Sequence, residues 1–196
     1  MNHPRKESPF EAVVIGASAG AVDALSAILP TLPPDYPLPL LLVVHLPADK
    51  KSILTELFRA KCRLDVREAE DKEPIRGATA YFAPPDYHLL VEPDRRLSLS
   101  SEEPVQYSRP SIDVLFETAV DAYGAALLGI ILTGANDDGA RGLRAVHQAG
   151  GTALVQRPDL AYAATMPQAA LTACPEARPL SLKEIAAYLK EVIDPA

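Results

Sequence analysis

Several short segments of the chain are apolar at nearly every position: Ala12 to Ala17, Leu40 to His45, Leu127 to Leu132 and Thr152 to Val155. An uninterrupted apolar run too short for a helix predicts a strand covered on both faces, as in a parallel sheet. Helical spacing lies between these runs. It predicts helices over Val22–Leu29 and over residues 52–61, the latter with Ile53, Leu54, Leu57 and Phe58 on one face. A third covers Ser111–Tyr123, with Ile112, Leu115, Phe116, Ala119 and Val120 in one stripe and Gly124 as a C-terminal cap. A further helix runs from the Thr133–Gly139 turn to Gln148, and the last opens on Ser181-Leu-Lys-Glu184, a capping box, and reaches Ile193. Leu64–Arg67 and Ala80–Ala83 are additional strand candidates. Tyr87–Glu92 and Arg96–Ser100 flank Pro93-Asp94, which predicts an antiparallel hairpin near a sheet edge.

Alternation of covered strands with amphipathic helices predicts an α/β fold: a single doubly wound, mostly parallel sheet flanked by helices, with that one hairpin. Residues 1–10 are polar and read as a short disordered lead, and residues 11–196 as one domain without repeats. In such sheets ligands bind where loops leave the carboxyl ends of the strands. Ser18, His45 and Asp138 all follow apolar strand candidates, so they are expected at that edge.

Composition narrows the function classes. A net charge of -7 and a pI near 5.1, with no basic cluster, exclude a nucleic-acid surface. Cys62 and Cys174 lack the close spacing of a metal clip, and the start MNHPRKESPF lacks the apolar core of a signal peptide. These features point to a reducing cytoplasm. The stretch Leu38 to Leu46 is interrupted by Pro39 and is too short to cross a bilayer, so no membrane insertion is expected.

Gly16-Ala17-Ser18-Ala19-Gly20 fits the G-x-S-x-G pattern of an exposed nucleophile on a strand-turn-helix. The helix N-terminus behind it favours a developing alkoxide and oxyanion. Ser18 is equally suited to capping the helix of a nucleotide-binding turn. His45 closes Leu41-Leu-Val-Val-His45 where a general base could accept a serine proton, or it is a satisfied histidine at a strand end. Asp137 and Asp138 sit in a glycine-flanked turn, and one of them could orient the imidazole, although an Asp cap in an Asp-Gly turn reads as well. Neither a calcium loop nor a G-x-G-x-x-G dinucleotide fingerprint is present. The order Ser, His, Asp also differs from that of lipase-type hydrolases.

Six ordered blocks resemble the catalytic domain of the chemotaxis receptor methylesterases, commonly called CheB. They are Val14-Ile-Gly-Ala-Ser-Ala-Gly20, Val44-His-Leu-Pro47, Tyr81-Phe-Ala-Pro-Pro-Asp-Tyr-His-Leu-Leu90, Arg109-Pro-Ser-Ile-Asp-Val-Leu-Phe116, Leu132-Thr-Gly134 with Asp138-Gly-Ala140, and Met166-Pro167. The resemblance implies Ser18 as nucleophile, His45 as base and Asp138, by its following Gly139-Ala140, as acid. It implies hydrolysis of glutamyl methyl esters on the cytoplasmic helices of methyl-accepting chemoreceptors, releasing methanol, with glutamine deamidation as a second activity. No metal and no organic cofactor is implied.

Two positions depart from the family pattern. Ala19 stands where threonine is usual, and Ala135-Asn136 where the family has Met-Gly, whose methionine N–H is implicated in the oxyanion hole. Backbone donors survive such changes, which leaves Ala19, Gly20 and Ala135 as oxyanion and loop candidates. Arg109 and Met166 are substrate-groove candidates. Pro110 and Ser111 have helix-start chemistry, and His88 is expected to pack beside the hairpin. The family's phospho-receiver domain has no room in this chain, so activity is expected to be constitutive or set by a signalling regulator in trans. The alternative, motivated by Ala19 and Ala135, is a weak or inactive module of the same fold serving as a signalling partner or adaptor.

Overall fold

The computed structural model describes residues 8–45 and 53–193. In chain order the regular elements are β1 (Ala12–Ala17), α1 (Ala21–Ile28), β2 (Leu40–Val44), α2 (Ile53–Lys61), β3 (Asp65–Glu68), β4 (Thr79–Phe82), β5 (His88–Val91) and β6 (Leu97–Ser100). They continue with α3 (Ile112–Tyr123), β7 (Leu127–Ile131), α4 (Ala140–Gln148), β8 (Thr152–Gln156), α5 (Thr165–Ala173), β9 (Arg178–Leu180) and α6 (Leu182–Glu191).

Seven strands form one parallel sheet in the order β3-β4-β2-β1-β7-β8-β9. From β1 the chain moves to β2 and then to the edge strand β3, and β4 fills the place between β2 and β3. The chain then crosses over the sheet and builds outward on the other side through β7, β8 and β9. The reversal falls between β1 and β7, which is where doubly wound sheets open a crevice at the carboxyl edge.

The expected period of two is visible in the core. Val13, Ile15 and Ala17 of β1 face α1, α2 and α6, packing with Leu25, Ile28, Phe58, Ile185 and Leu189. Ala12 and Val14 face the opposite layer, which holds Ile112, Leu115 and Phe116 of α3, Leu143 and Val146 of α4, and Met166 and Ala170 of α5. Each large side chain removed from water in this way contributes about 1.5–3 kcal/mol. The rim is therefore rigidly backed on both faces.

The hairpin forms as expected, but β5 and β6 make a separate two-stranded sheet instead of extending the main one. Gly124 ends α3 with a positive φ, and Ser181 and Glu184 form the capping box of α6. The expected helix start at Ser52, and the Leu46-Pro47 pair, lie outside the described residues. Ordered packing reaches back to Phe10, inside the expected lead, with 7% of its surface exposed. Two elements were not anticipated. Helix α5 carries Pro167 in its first turn, where a missing N–H costs nothing, and β9 is a short edge strand containing Pro179. Among the described residues no helix is long and apolar enough to cross a membrane.

Candidate active site

The ends of β1, β2 and β7 are tied together by backbone bonds beyond the ladders. The Ser18 N–H donates to the Thr133 carbonyl at 2.9 Å, and the His45 N–H donates to the Ala17 carbonyl at 3.0 Å. The loops carrying Ser18, His45 and residues 133–139 therefore leave the sheet side by side. Gly16 leaves room for Ile112, whose side chain would overlap any Cβ there. Gly20 turns the chain into α1 at φ +82°, and Tyr162 packs 2.6 Å from where its Cβ would stand, so neither the conformation nor the space admits a larger residue.

The loop after β7 is fixed from below. Gln156 accepts the Thr133 N–H at 2.9 Å, while the Thr133 hydroxyl donates to the Ala19 carbonyl at 2.8 Å and accepts from the Ala163 N–H at 2.9 Å. Among the described residues, the N–H groups of Ala19, Gly20 and Ala135 have no acceptor, and the Ser18 hydroxyl makes no hydrogen bond. Three backbone donors and one hydroxyl thus remain available at the rim.

His45 Nε2 lies 2.9 Å from Asp138 Oδ2, and His45 Nδ1 lies 3.2 Å from the amide nitrogen of Asn136. An ionised carboxylate only accepts and an amide nitrogen only donates. One assignment satisfies both contacts: a neutral ring that donates from Nε2 and accepts at Nδ1. A protonated ring would set two donors against each other at Nδ1. The imidazole is 14% exposed and the carboxylate 1%, so the pair bridges solvent and interior.

Asp138 receives four hydrogen bonds. Oδ2 accepts from His45 and from the Ile112 N–H at 2.7 Å; Oδ1 accepts from the Ser111 hydroxyl at 2.9 Å and the Asp113 N–H at 3.0 Å. Burial by itself would raise its pKa. The bonds from His45 and from the first-turn amides of α3 outweigh that effect and hold the carboxyl below its usual range. Ser111 occupies the N-cap position of α3, as its chemistry suggested, but its hydroxyl serves Asp138 instead of capping its own helix.

Asp113 completes an exchange. Asp138, leading into α4, caps α3, while Asp113, in the first turn of α3, accepts the N–H groups of Gly139 at 3.0 Å and Gly142 at 2.7 Å and so caps α4. Burial pushes the Asp113 carboxyl up to about 6, assisted by the charge of Asp138 and opposed by the Gly142 bond and Arg141. Its Oδ2 is buried without a hydrogen bond, and the Arg141 Nε stands 3.8 Å away. His88 extends the network. It is 2% exposed, accepts the Ser111 N–H at Nδ1 over 3.2 Å, and donates from Nε2 to the Glu103 carbonyl at 3.0 Å.

A model of the CheB methylesterase family matches residues 13–189. The chain belongs to the CheB methylesterase family. A protein of Leptospira interrogans named putative protein-glutamate methylesterase/protein-glutamine glutaminase is 47% identical over 177 residues, covering 90% of this chain and 92% of that one. A Bradyrhizobium diazoefficiens protein-glutamate methylesterase/protein-glutamine glutaminase of group 3 operon is 39% identical, covering 81% of this chain and 44% of the other. Among solved structures, the CheB methylesterase catalytic domain of Thermotoga maritima superposes with a TM-score of 0.89 at 29% identity, covering 94% of this chain and 99% of that one.

Against the pattern of the CheB family, the structure brings His45 and Asp138 into contact and puts Ser18 on the neighbouring strand end. Ala135 is exposed at the loop tip. The groove candidates fare differently. Met166 is buried, 1% exposed, with its sulfur against Gly134, so it supports the loop from beneath and offers no groove surface. Arg109 spends its guanidinium on the carbonyls of Ser101 and Glu102, at 2.9 and 3.0 Å, where it fastens the segment after β6. The sequence reading left out the contacts of Ser111, Asp113, His88 and Asn136 with this centre. The Arg109-Pro-Ser-Ile-Asp113 block was the available signal for the first two, but it read as a helix start.

Proposed function

We propose that this chain is a carboxylic-ester hydrolase in which Ser18 is the nucleophile, His45 the general base and Asp138 the buried carboxylate that orients the ring. The observation that carries the proposal is the 2.9 Å contact between His45 and Asp138 on the rim that also bears the unbonded Ser18 hydroxyl. Because Nε2 is committed to Asp138, Nδ1 is the nitrogen that takes the Ser18 proton. The Ser18 Oγ adds to the ester carbonyl, and the oxyanion forms beside the N–H groups of Ala19, Gly20 and Ala135. Collapse of the tetrahedral adduct expels the alcohol, which leaves with the proton from Nδ1, and water then hydrolyses the acyl-serine by the same route.

The names carried by the relatives supply the substrate class: a glutamate methyl ester in a protein, with methanol as the first product, and glutamine as a second substrate that releases ammonia. We extend this to the cytoplasmic helices of chemoreceptors, which places the reaction in the cytoplasm. Turnover that is constitutive or set by a regulator acting in trans belongs to the same proposal, and equal turnover with and without a cognate phosphodonor system would support it. No observation favours the adaptor reading, because Ala19 and Ala135 offer backbone donors whatever their side chains. A fluorophosphonate tests the nucleophile directly. The wild type should carry one adduct at Ser18 by peptide mass spectrometry and Ser18→Ala none; equal labelling of both would refute the assignment.

A further inference from the structure

We infer that Asn136 is a displaceable cap on the base: its amide fills the lone pair of His45 Nδ1 that the Ser18 hydroxyl needs, so the resting site is held back until the amide is moved aside. This rests on the hydrolase reading of Ser18 and His45. The imidazole has one acceptor lone pair in its neutral form, and the Asn136 amide nitrogen stands on it at 3.2 Å. The amide is not free to turn, because its oxygen accepts the Asp138 N–H at 3.3 Å, and this directs the nitrogen toward the ring. The Ser18 hydroxyl makes no hydrogen bond among the described residues, which is the expected counterpart of an occupied Nδ1.

The cap is built to yield. Both of its hydrogen bonds are at the long end of the usual range, and Asn136 is half-buried between exposed Ala135 and Asp137. A substrate entering over this loop can displace the amide for about the strength of one neutral hydrogen bond. While it is in place, the cap also holds the ring in the tautomer that bonds Asp138, because only a ring with a bare Nδ1 can accept from the amide. Asn136 is therefore a positioning residue that acts through His45.

Two measurements test the cap. In the first, the rate of fluorophosphonate labelling is compared between the wild type and Asn136→Ala. Removing the competing donor should speed labelling about fivefold, the scale of one neutral hydrogen bond, and a slower or unchanged rate in a variant of normal thermal stability would overturn the inference. In the second, the ring nitrogens of His45 are observed by 15N NMR in Ser18→Ala and in Ser18→Ala combined with Asn136→Ala or Asn136→Leu. Loss of the donor should move the Nδ1 resonance downfield, toward a bare pyridine-type nitrogen, in both combinations; an unmoved resonance would overturn it. This second comparison needs no activity. If Ser18→Ala labels as fast as the wild type, the nucleophile assignment falls, and the NMR result still decides whether Asn136 caps the ring.

Discussion

Replacing Asp138 by asparagine removes one charge and keeps the shape, and the structure shows why that small change should be costly. The carboxylate accepts four hydrogen bonds, two at each oxygen, and each oxygen serves one rigid backbone N–H: Ile112 at Oδ2 and Asp113 at Oδ1. Asparagine has one oxygen, so whichever way its amide turns, an NH₂ group confronts a buried backbone donor. An unsatisfied buried donor costs about 1–3 kcal/mol, and loss of a negative charge at a helix N-terminus adds about 0.3–1 kcal/mol. The expected loss in unfolding free energy is about 1–4 kcal/mol, within the reserve of about 5–15 kcal/mol typical of a domain, so the variant should still fold. Activity should suffer more. The imidazolium formed during attack would lose its counter-charge and its preferred tautomer, and in a comparable triad this costs about 10⁴-fold. Urea unfolding followed by circular dichroism reads the first effect and ester hydrolysis the second. Exposed Asp137, changed to asparagine, is the control and should shift stability by less than about 0.5 kcal/mol. An Asp138→Asn variant that loses under about 0.5 kcal/mol, or keeps more than about a tenth of the activity, would refute the reasoning.

Ser111→Ala removes the hydroxyl bond to Asp138 Oδ1 but leaves both backbone donors in place, so it should cost about 1 kcal/mol in chemical unfolding and about tenfold or less in turnover. Asp113→Asn tests the second carboxylate through pH. Its folded pKa of about 6 lies above the unfolded value of about 3.9, so this group's stabilisation is complete below about pH 4 and is lost as pH rises through about 6. The amide keeps an oxygen for Gly139 and Gly142, so the wild type should lose about 3 kcal/mol relative to the variant between those limits; a stability difference between wild type and variant that is the same at the two pH values would contradict the assignment.

The scaffold was largely legible because burial on both faces leaves an unmistakable apolar run, as in β1, β2 and β7, and the Gly-rich turn after β1 marks the site edge. Elements that rely on tertiary support were not. Three-residue β9, with its proline on a sheet edge, has no room for a pattern, and α5 opens on Thr165-Met-Pro167 and continues through small residues with little contrast between its faces. The hydrogen-bonded partners of the centre were hidden for a different reason. Ser111 and Asp138 are 27 residues apart, and Asn136 and His45 are 91 apart, so neither pairing leaves a periodic trace. Ser111 was further disguised by sitting at a helix start, where a serine already has a sufficient local explanation. The reciprocal caps of Asp113 and Asp138 show the same limit, since each aspartate reads locally as a turn or first-turn acid and only the packing of α3 against α4 exchanges them.

The most direct test of the account is methanol release from methylated chemoreceptor fragments by the wild type and by Ser18→Ala at equal folded concentration. The account predicts stoichiometric methanol and glutamate from the wild type, and a rate at least about 10³-fold lower from the variant. Methanol release that survives the loss of Ser18 would contradict it, as would a folded wild type that releases none.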